Sequence, residues 1–239
     1  MVVAIIPARG GSSRIQNKNI RQFAGNPMIS YSIQAAKQSG VFDRIIVTTD
    51  SKAIANIAEA YGAEVPFFRP DHLSDDHTPT APVISHALRF ISDQGVPAEY
   101  ACCIYATAPF VRPEFIRQGY EILLKEGVSA AFSVTTFAFP IFRALKIKEN
   151  GQMAMFWPEY ELARSQDLPE AYHDAGQFYW LKVDSFLKSE KLYASDAMPV
   201  RIPRYLVQDI DTPEDWETAE RMFMTLPINQ FTNSEVKSE

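Results

Sequence analysis

Hydrophobic positions along residues 1–136 alternate between two patterns. Short continuous apolar runs, such as residues 2–6, are typical of strands buried on both faces. Between these runs, apolar residues recur every three or four positions, which predicts helices packed by one face. The predicted strands are residues 2–6, 44–49, 64–68, 100–105 and 129–136. The predicted helices are residues 27–38, 78–94 and 113–125. A further predicted helix is capped by Asp50 and Ser51 and ends at Tyr61. This alternation predicts an α/β fold with a mostly parallel, twisted sheet flanked by helices.

The pattern changes over residues 137–172, where alternation is weak and aromatic residues and prolines are frequent. We interpret this segment as an excursion from the sheet. It contains a predicted hairpin around residues 149–151, because Asn-Gly favours tight turns. A regular strand pattern resumes at residues 177–183.

The C-terminal part predicts one more strand and one more helix. The strand, LVQDID, spans residues 206–211, and Asp-Thr-Pro-Glu at residues 211–214 then starts a helix that runs to about Met224. We expect a single domain over residues 1–228 and a flexible polar tail over residues 229–239.

Composition and charge exclude several classes of protein. A net charge of −6 and a pI of about 5.3 leave no global basic field, so we expect no nucleic-acid partner. Cys102 and Cys103 are adjacent and lie in an apolar run, which indicates small core residues rather than a disulfide or a zinc site. Residues 1–3 lead directly into a strand and no apolar run reaches membrane length, so we expect a cytoplasmic protein with no signal peptide and no membrane partner.

The loop after the first strand contains residues suited to binding an anion. In the stretch AIIPARGGSSRIQNKN, residues 4–19, the strand is followed by a loop that contains two glycines and three cations and no carboxylate. Ligands of open parallel sheets bind at the carboxyl ends of the strands. Gly10 and Gly11 permit close backbone approach to an anion, while Arg9 and Lys18 offer the cations that proteins use on phosphate. The loop therefore predicts a triphosphate site, although it has neither a P-loop nor a GxGxxG spacing. The alternative is a solvated basic loop.

The segment IIPARGGSSRIQNKN, residues 5–19, resembles the N-terminal signature of the CMP-sialic acid synthetase family, the cytidylyltransferases that activate nine-carbon acidic sugars. Further resemblances follow in order: RPDHLSDDHTPT at residues 69–80, TAPF at 107–110 and DIDTPEDW at 209–216. YATAPF and HDAGQFYW resemble the branch of that family that uses pseudaminic acid, a bacterial sugar found on flagellins. The resemblance implies a nucleotide-diphospho-sugar transferase-like fold.

The resemblance also implies a reaction. CTP and a 2-keto sugar acid are joined, the anomeric hydroxyl attacks the α-phosphorus, and pyrophosphate leaves. Arg9 and Lys18 match family positions that hold the triphosphate, and Arg69 and Thr80 match positions that read the cytosine. Thr80 could instead serve only in the first turn of a helix. The full set expected to bind CTP is Ala8, Arg9, Gly10, Gly11, Ser12, Lys18, Asn19, Arg69 and Thr80.

Asp209 and Asp211 match the pair that the family uses for its metal. In an extended strand two such residues point to one side, and two carboxylates facing a triphosphate suit Mg²⁺. We therefore expect Mg²⁺ at this pair, and we include both aspartates with Arg9 and Lys18 among the catalytic residues. The alternative role for Asp211 is to cap the helix that follows.

The candidate sugar site combines hydrogen-bonding side chains with one glycine. It comprises Tyr105, His173, Asp174, Gly176, Gln177 and Tyr179. Tyr105 stands where sialic acid synthetases often carry a glutamine, so the sequence departs from the N-acetylneuraminate pattern. Ser13 and Arg14 likewise replace a common Lys-Gly. The alternative is that residues 173–179 are only the polar beginning of a strand.

In relatives the excursion over residues 137–172 packs against a second subunit and lends basic residues to its site. We therefore expect a homodimer, and the aromatic residues of the segment suit an apolar interface. Arg143, Lys146 and Arg164 are candidates for holding the sugar carboxylate. The alternative is that these aromatic residues cover the chain's own core.

Pseudaminic acid is the favoured sugar, with N-acetylneuraminic, legionaminic and the eight-carbon acid of lipopolysaccharide as alternatives. A metal-dependent glycosyltransferase is a rival from another class, but such enzymes usually carry their Asp-x-Asp after a middle strand. A non-catalytic nucleotide sensor is a third reading, which pyrophosphate release would exclude.

Overall fold

A twisted six-stranded sheet forms the centre of the computed structural model, which describes residues 1–125 and 127–227. Its strands are β1 (Val2–Pro7), β4 (Arg44–Thr48), β5 (Tyr100–Ile104), β6 (Ala130–Thr136), β9 (Tyr172–Lys182) and β10 (Met198–Arg201), and two small hairpins comprise β2 (Gln22–Phe23) with β3 (Asn26–Pro27) and β7 (Leu145–Ile147) with β8 (Met153–Met155). The predicted tail, residues 229–239, lies outside the described residues.

The order of the strands in the sheet is β10-β6-β9-β5-β1-β4. β1 pairs in parallel with both β4 and β5, and β10 pairs in parallel with β6. Only β9 runs antiparallel to its two neighbours within this sheet. The predicted mostly parallel sheet is therefore confirmed, with one reversed strand in its middle.

Helices cover both faces of the sheet. They are α1 (Met28–Ser39), α2 (Lys52–Ala60), α3 (Thr80–Asp93), α4 (Pro113–Leu123), α5 (Val183–Ser189) and α6 (Pro213–Thr225). Consecutive residues of β1 enter the two apolar clusters alternately, Ile6 on one face and Ile5 on the other. Cys102 and Cys103 divide in the same way and are completely buried, as expected of small core residues. No helix among residues 1–125 and 127–227 could cross a membrane.

Two predicted strands are wrong. Residues 64–68 form only isolated parallel bridges, from Glu64 to β4 and from Phe68 to Thr49 just after it, because Pro66 between them has no N–H for a ladder. Residues 206–211 are irregular and follow a 3₁₀ turn at Arg204–Leu206. The last strand along the chain is instead β10, which ends at Arg201, before Pro203. Asp209 and Asp211 therefore do not stand on a strand, and period-two alternation does not set their directions.

The element boundaries bring further corrections. β9 begins at Tyr172, five residues before the predicted start, and Gly176 within it has a φ of 62° where the ladder to β6 is irregular. The short helix α5 has no counterpart among the predictions. Asp50 and Ser51 precede α2 as predicted, but neither side chain caps it. In the excursion, the predicted hairpin is confirmed, with a turn at residues 149–151 between β7 and β8.

Candidate active site

Two adjoining pockets lie at the edge of the sheet where β1, β4 and β5 end and the reversed strand β9 begins. The first pocket, about 300 Å³, is lined by the loop after β1, by residues 69–80 and by Asp211. The second pocket, about 530 Å³, is lined by residues 173–177, by Tyr179 and by residues 207–209. Tyr105 and Thr107, which follow β5, line both pockets, so the two cavities meet at these side chains.

The loop after β1 is held by a few specific contacts. Ile15 anchors it in the core, and the Asn19 side chain donates a 2.9 Å hydrogen bond to the carbonyl of Arg9. The N–H of Gly10 donates to the Asp50 carboxylate at 2.7 Å. A Cβ at Gly10 would lie 3.0 Å from the Cβ of Ser51, so a larger residue there would crowd Ser51. Asp50 thus supports the loop and leaves α2 uncapped.

Each cation of the loop faces a carboxylate. Arg9 forms an ion pair with Asp76 and donates to the carbonyl of Asp75 at 2.8 Å. Arg14 and Lys18 both reach Asp211, at 2.9 and 3.3 Å. Carboxylates therefore occupy the cations that an incoming phosphate would use, although the four cations that line the first pocket outnumber its three carboxylates.

Arg69 is the buried cation of the first pocket, with only 5% of its surface exposed. Its Nε donates to Ser74 at 3.2 Å, and its guanidinium lies 3.9 Å from Asp50. Burial lowers the pKa of Arg69, and the Asp50 charge opposes that shift. Thr80, the first residue of α3, places its hydroxyl 3.1 Å from that of Tyr105. The contact between Thr80 and Tyr105 links the first pocket to the wall that it shares with the second pocket.

Asp174 organises one side of the second pocket. One of its oxygens accepts hydrogen bonds from the hydroxyls of Tyr179 at 2.5 Å and Tyr193 at 2.6 Å, and the other accepts from the Gly176 N–H at 2.8 Å. Burial, with the bond to Asp174, raises the pKa of Tyr193 to about 12. Burial likewise raises the pKa of Tyr179 and of Tyr105, so all three phenols stay protonated at neutral pH.

Gln177 and His173 complete that pocket. The buried side chain of Gln177 donates from Nε2 to the carbonyl of Leu206 at 2.6 Å, while its Oε1 is buried without a hydrogen-bond partner. His173 is exposed, with Nδ1 2.8 Å from the carbonyl of Asp174 and its ring against Phe137.

The structure separates the sequence-predicted residues into two groups. Six of the residues expected to bind CTP line the first pocket: Arg9, Ser12, Lys18, Asn19, Arg69 and Thr80. Ala8, Gly10 and Gly11 belong to the same loop but are not among the residues that line that pocket. All six residues expected to bind the sugar line the second pocket, including Tyr105 at the shared wall.

Asp209 and Asp211 lie apart in this arrangement, since Asp209 lines the second pocket and Asp211 the first. The capping alternative for Asp211 is wrong, because Thr212 caps α6 through a capping box with Asp215. Asp211 is left free to face the loop. Residues 1–125 and 127–227 contain no cluster of three metal-ligating side chains. Two carboxylates beside a phosphate site nevertheless fit a hard divalent cation, which takes few protein ligands and completes its shell with phosphate and water.

Four residues that shape the pockets escaped the sequence reasoning. Thr107 lines both pockets, and its TAPF segment was a usable signal. Asp50, Ser74 and Tyr193 act through contacts with Gly10, Arg69 and Asp174 that join distant parts of the chain, so no local pattern pointed to them.

A mostly parallel sheet with a cation-lined pocket and a second, hydrogen-bonding pocket at one edge suits a nucleotidyltransferase. The chain belongs to the cytidylyltransferase family, whose model matches residues 3–234.

The chain is 40% identical to pseudaminic acid cytidylyltransferase from Campylobacter jejuni, over 92% of this chain and 95% of that protein. It is 30% identical to CMP-N,N'-diacetyllegionaminic acid synthase from Legionella pneumophila, over 96% and 97% of the two chains. The fold matches that of a CMP:2-keto-3-deoxy-manno-octonic acid synthetase solved with CTP, with a TM-score of 0.68, 17% identity, and 93% and 98% of the chains covered.

Proposed function

We propose that this enzyme joins CTP and pseudaminic acid, a nine-carbon 2-keto sugar acid, to give the CMP-sugar and pyrophosphate. The observation that carries the proposal is the meeting of the two pockets at Tyr105 and Thr107. A cation-lined pocket beside a hydrogen-bonding pocket lets a nucleotide phosphate and a sugar hydroxyl approach each other. The 40% identity to the Campylobacter enzyme supports pseudaminic acid as the sugar.

The cations of the first pocket supply the main catalytic effect. As the anomeric oxygen forms its bond to the α-phosphorus, the bond to the pyrophosphate oxygen breaks and negative charge builds on the leaving group. Arg9 and Lys18 would stabilise that charge, because fixed charges in a preorganised site need little reorganisation. The triphosphate would take the place of Asp76 at Arg9 and of Asp211 at Lys18. Arg69 and Thr80 are proposed to contact the cytosine, whose acceptors suit a guanidinium and a hydroxyl.

Cytidylyltransferases of this kind generally use a divalent metal, and we assign Mg²⁺ to this enzyme. Asp211 in the first pocket and Asp209 in the second would hold it. When bound, the ion neutralises triphosphate charge and orients the phosphates. Lys18 and Arg14, which pair with Asp211 here, would contact the triphosphate if Asp211 held the ion.

The second pocket is incomplete for an acidic substrate, which supports the proposed homodimer. Among the described residues that line it, Asp174 and Asp209 carry negative charge and no lysine or arginine is present. A second copy would supply the missing cation from its excursion, where Arg143, Lys146 and Arg164 lie. The excursion also exposes large apolar side chains, with Leu162 94% accessible, as an interface would require. We place the enzyme in the cytoplasm, where its product would serve glycosyltransferases that modify flagellin or surface glycans.

The test is turnover with separate sugars. The purified protein is incubated with CTP and Mg²⁺, and pseudaminic, N,N'-diacetyllegionaminic or N-acetylneuraminic acid is added in separate reactions. Pyrophosphate release is measured, and the sugar nucleotide is confirmed by mass. We expect the highest kcat/KM with pseudaminic acid. A higher value for another sugar would overturn the substrate, and bound CTP without turnover of any 2-keto sugar acid would overturn the reaction.

A further inference from the structure

The amide of Gln177, in the wall of the second pocket, has a fixed orientation and a buried acceptor without a partner among the described residues. Its side chain is 97% buried in β9, and Nε2 donates to the carbonyl of Leu206 at 2.6 Å. Its backbone is held as well, by Ser133 at the N–H and by the N–H of Tyr105 at the carbonyl. The amide therefore cannot turn over without breaking its bond to Leu206.

The Oε1 atom of Gln177 is buried and accepts no hydrogen bond from the described residues. A buried acceptor left unpaired is costly, and native proteins usually satisfy it with protein, water or ligand. Gln177 lines the second pocket, so a molecule bound there would lie beside this amide. Nε2 already donates to Leu206, so Oε1 is the polar atom of this amide that has no partner, and a ligand that satisfies it brings a donor.

The surroundings of this acceptor indicate which donor fits. Ala108, Phe110, Ala175 and Val207 line the same pocket and give it an apolar wall. An acylamino group presents an N–H donor next to an apolar methyl group, and so matches both features. A hydroxyl could donate to Oε1, but it would leave the apolar wall in contact with water.

We infer that Gln177 determines specificity by accepting the N–H of an acylamino group of the sugar acid, whose acyl methyl packs on the wall of Ala108, Phe110, Ala175 and Val207. This inference rests on the proposed function and deepens it. It gives Gln177 a role in choosing among sugar acids and no role in binding CTP, since the residue does not line the first pocket.

The test compares substrates that differ in one group. Pseudaminic acid is assayed against analogues in which a hydroxyl replaces one acylamino group, at each acylamino position in turn. For the wild-type enzyme we expect one analogue to lose about 10- to 100-fold in kcat/KM, as for a buried hydrogen bond left unmade. In Gln177→Ala and in the closer isostere Gln177→Met, pseudaminic acid should lose a similar factor and its advantage over that analogue should vanish.

The KM for CTP and the midpoint of thermal unfolding serve as checks on folding, with the exposed Gln94→Ala as matched control. If a folded Gln177 variant keeps the full wild-type preference, the inference is wrong. If wild-type enzyme turns over every analogue equally, the inference also fails, while the cytidylyltransferase reaction stands. The proposed function fails separately, when the wild-type enzyme turns over no 2-keto sugar acid.

Discussion

At the scale of single residues, the main feature is that the phosphate-binding candidates already have anionic partners. Arg9 faces Asp76, and Lys18 faces Asp211. These pairs are partly exposed, so each is expected to contribute no more than about 1 kcal/mol. A triphosphate, with more charge and better geometry, can displace them at small cost. The carboxylates thus keep the cations in place without competing strongly with CTP.

Replacing Lys18 tests this balance. Lys18→Met removes a cation that is 16% exposed in the first pocket. We expect kcat/KM for CTP to fall by about 10²- to 10³-fold, the loss typical of one preorganised contact to developing charge. Steady-state pyrophosphate release measures it, with Lys37→Met, an exposed lysine away from the pockets, as control. A loss no larger than that of the control would remove Lys18 from the site.

Asp215 gives a pH-dependent prediction. Hydrogen bonds from the Thr212 side chain, and then from the backbone N–H groups of Thr212 and Asp211, lower the pKa of Asp215. A depressed folded-state pKa adds stability above the unfolded value of about 4, and that stability is lost as the pH falls through the folded value. Asp215→Asn should therefore melt below wild type at neutral pH, with the gap closing below about pH 4.

Thermal melting curves across that pH range measure the gap. Glu214→Gln is the matched control, since it is exposed on the same first turn of α6. A gap that stays constant from neutral to acidic pH would contradict the assigned role of the Asp215 carboxylate.

At the scale of elements, α4 is fixed against the sheet by a glycine. A Cβ at Gly119 would lie 2.5 Å from the ring of Trp180 and 3.2 Å from that of Phe178. The indole of Trp180 also donates to the carbonyl of Ile116, one turn earlier in the same helix, at 2.9 Å. The helix therefore approaches β9 more closely than any other residue at position 119 would allow.

Gly119→Ala should lower the free energy of unfolding by about 1–3 kcal/mol, because overpacking outweighs the better helix propensity of alanine. Chemical denaturation followed by tryptophan fluorescence measures the change. Gln118→Ala, its exposed neighbour on α4, should have little effect. Equal stability of the two variants would show that Trp180 moves aside freely.

Elements with strong local signals were predictable from sequence, and those set by distant contacts were not. The apolar run of β1 and the helical period of α3 were sufficient, because each buries a continuous surface. Residues 64–68 have a β-type composition, but Pro66 has no N–H to continue a ladder. Residues 206–211 contain three apolar residues, but apolar content alone does not supply a neighbouring strand to pair with.

The candidate site also contains parts that local sequence predicts and parts that only distant contacts set. Its loop was predictable, since glycines and cations that follow a buried strand of a parallel sheet are typical of an anion site. The pairing of Lys18 with Asp211, 193 positions apart, depends on the whole fold, and the sequence offered only the separate motifs. The unused acceptor of Gln177 likewise follows from its contact with Leu206, which no local pattern encodes.

At the scale of the whole molecule, the exposed apolar surface of the excursion leads to a prediction about assembly. Phe139 and Leu162 are 83% and 94% accessible. In the proposed homodimer this surface is covered, so the double variant Phe139→Asp and Leu162→Asp should be monomeric. It should also bind the sugar acid weakly while retaining CTP, because the second pocket lacks a cation of its own.

Light scattering after size-exclusion chromatography gives the mass, and calorimetry gives CTP affinity. Met224→Asp, a 60% accessible apolar side chain on α6, is the control and should leave the mass unchanged. A wild-type chain that is monomeric, or a double variant that remains dimeric, would overturn this assignment.

The wall shared by the two pockets also makes the enzyme open to inhibition by a single linked compound. Because Tyr105 and Thr107 line both cavities, a cytidine joined through one non-hydrolysable phosphonate to a sugar acid would span them. Once either half is seated, the other is present at an effective concentration set by the tether rather than by the solution. Such tethering typically strengthens binding by about 10²- to 10⁴-fold over either half alone. The same adjacency that brings two substrates together would hold such a compound in place.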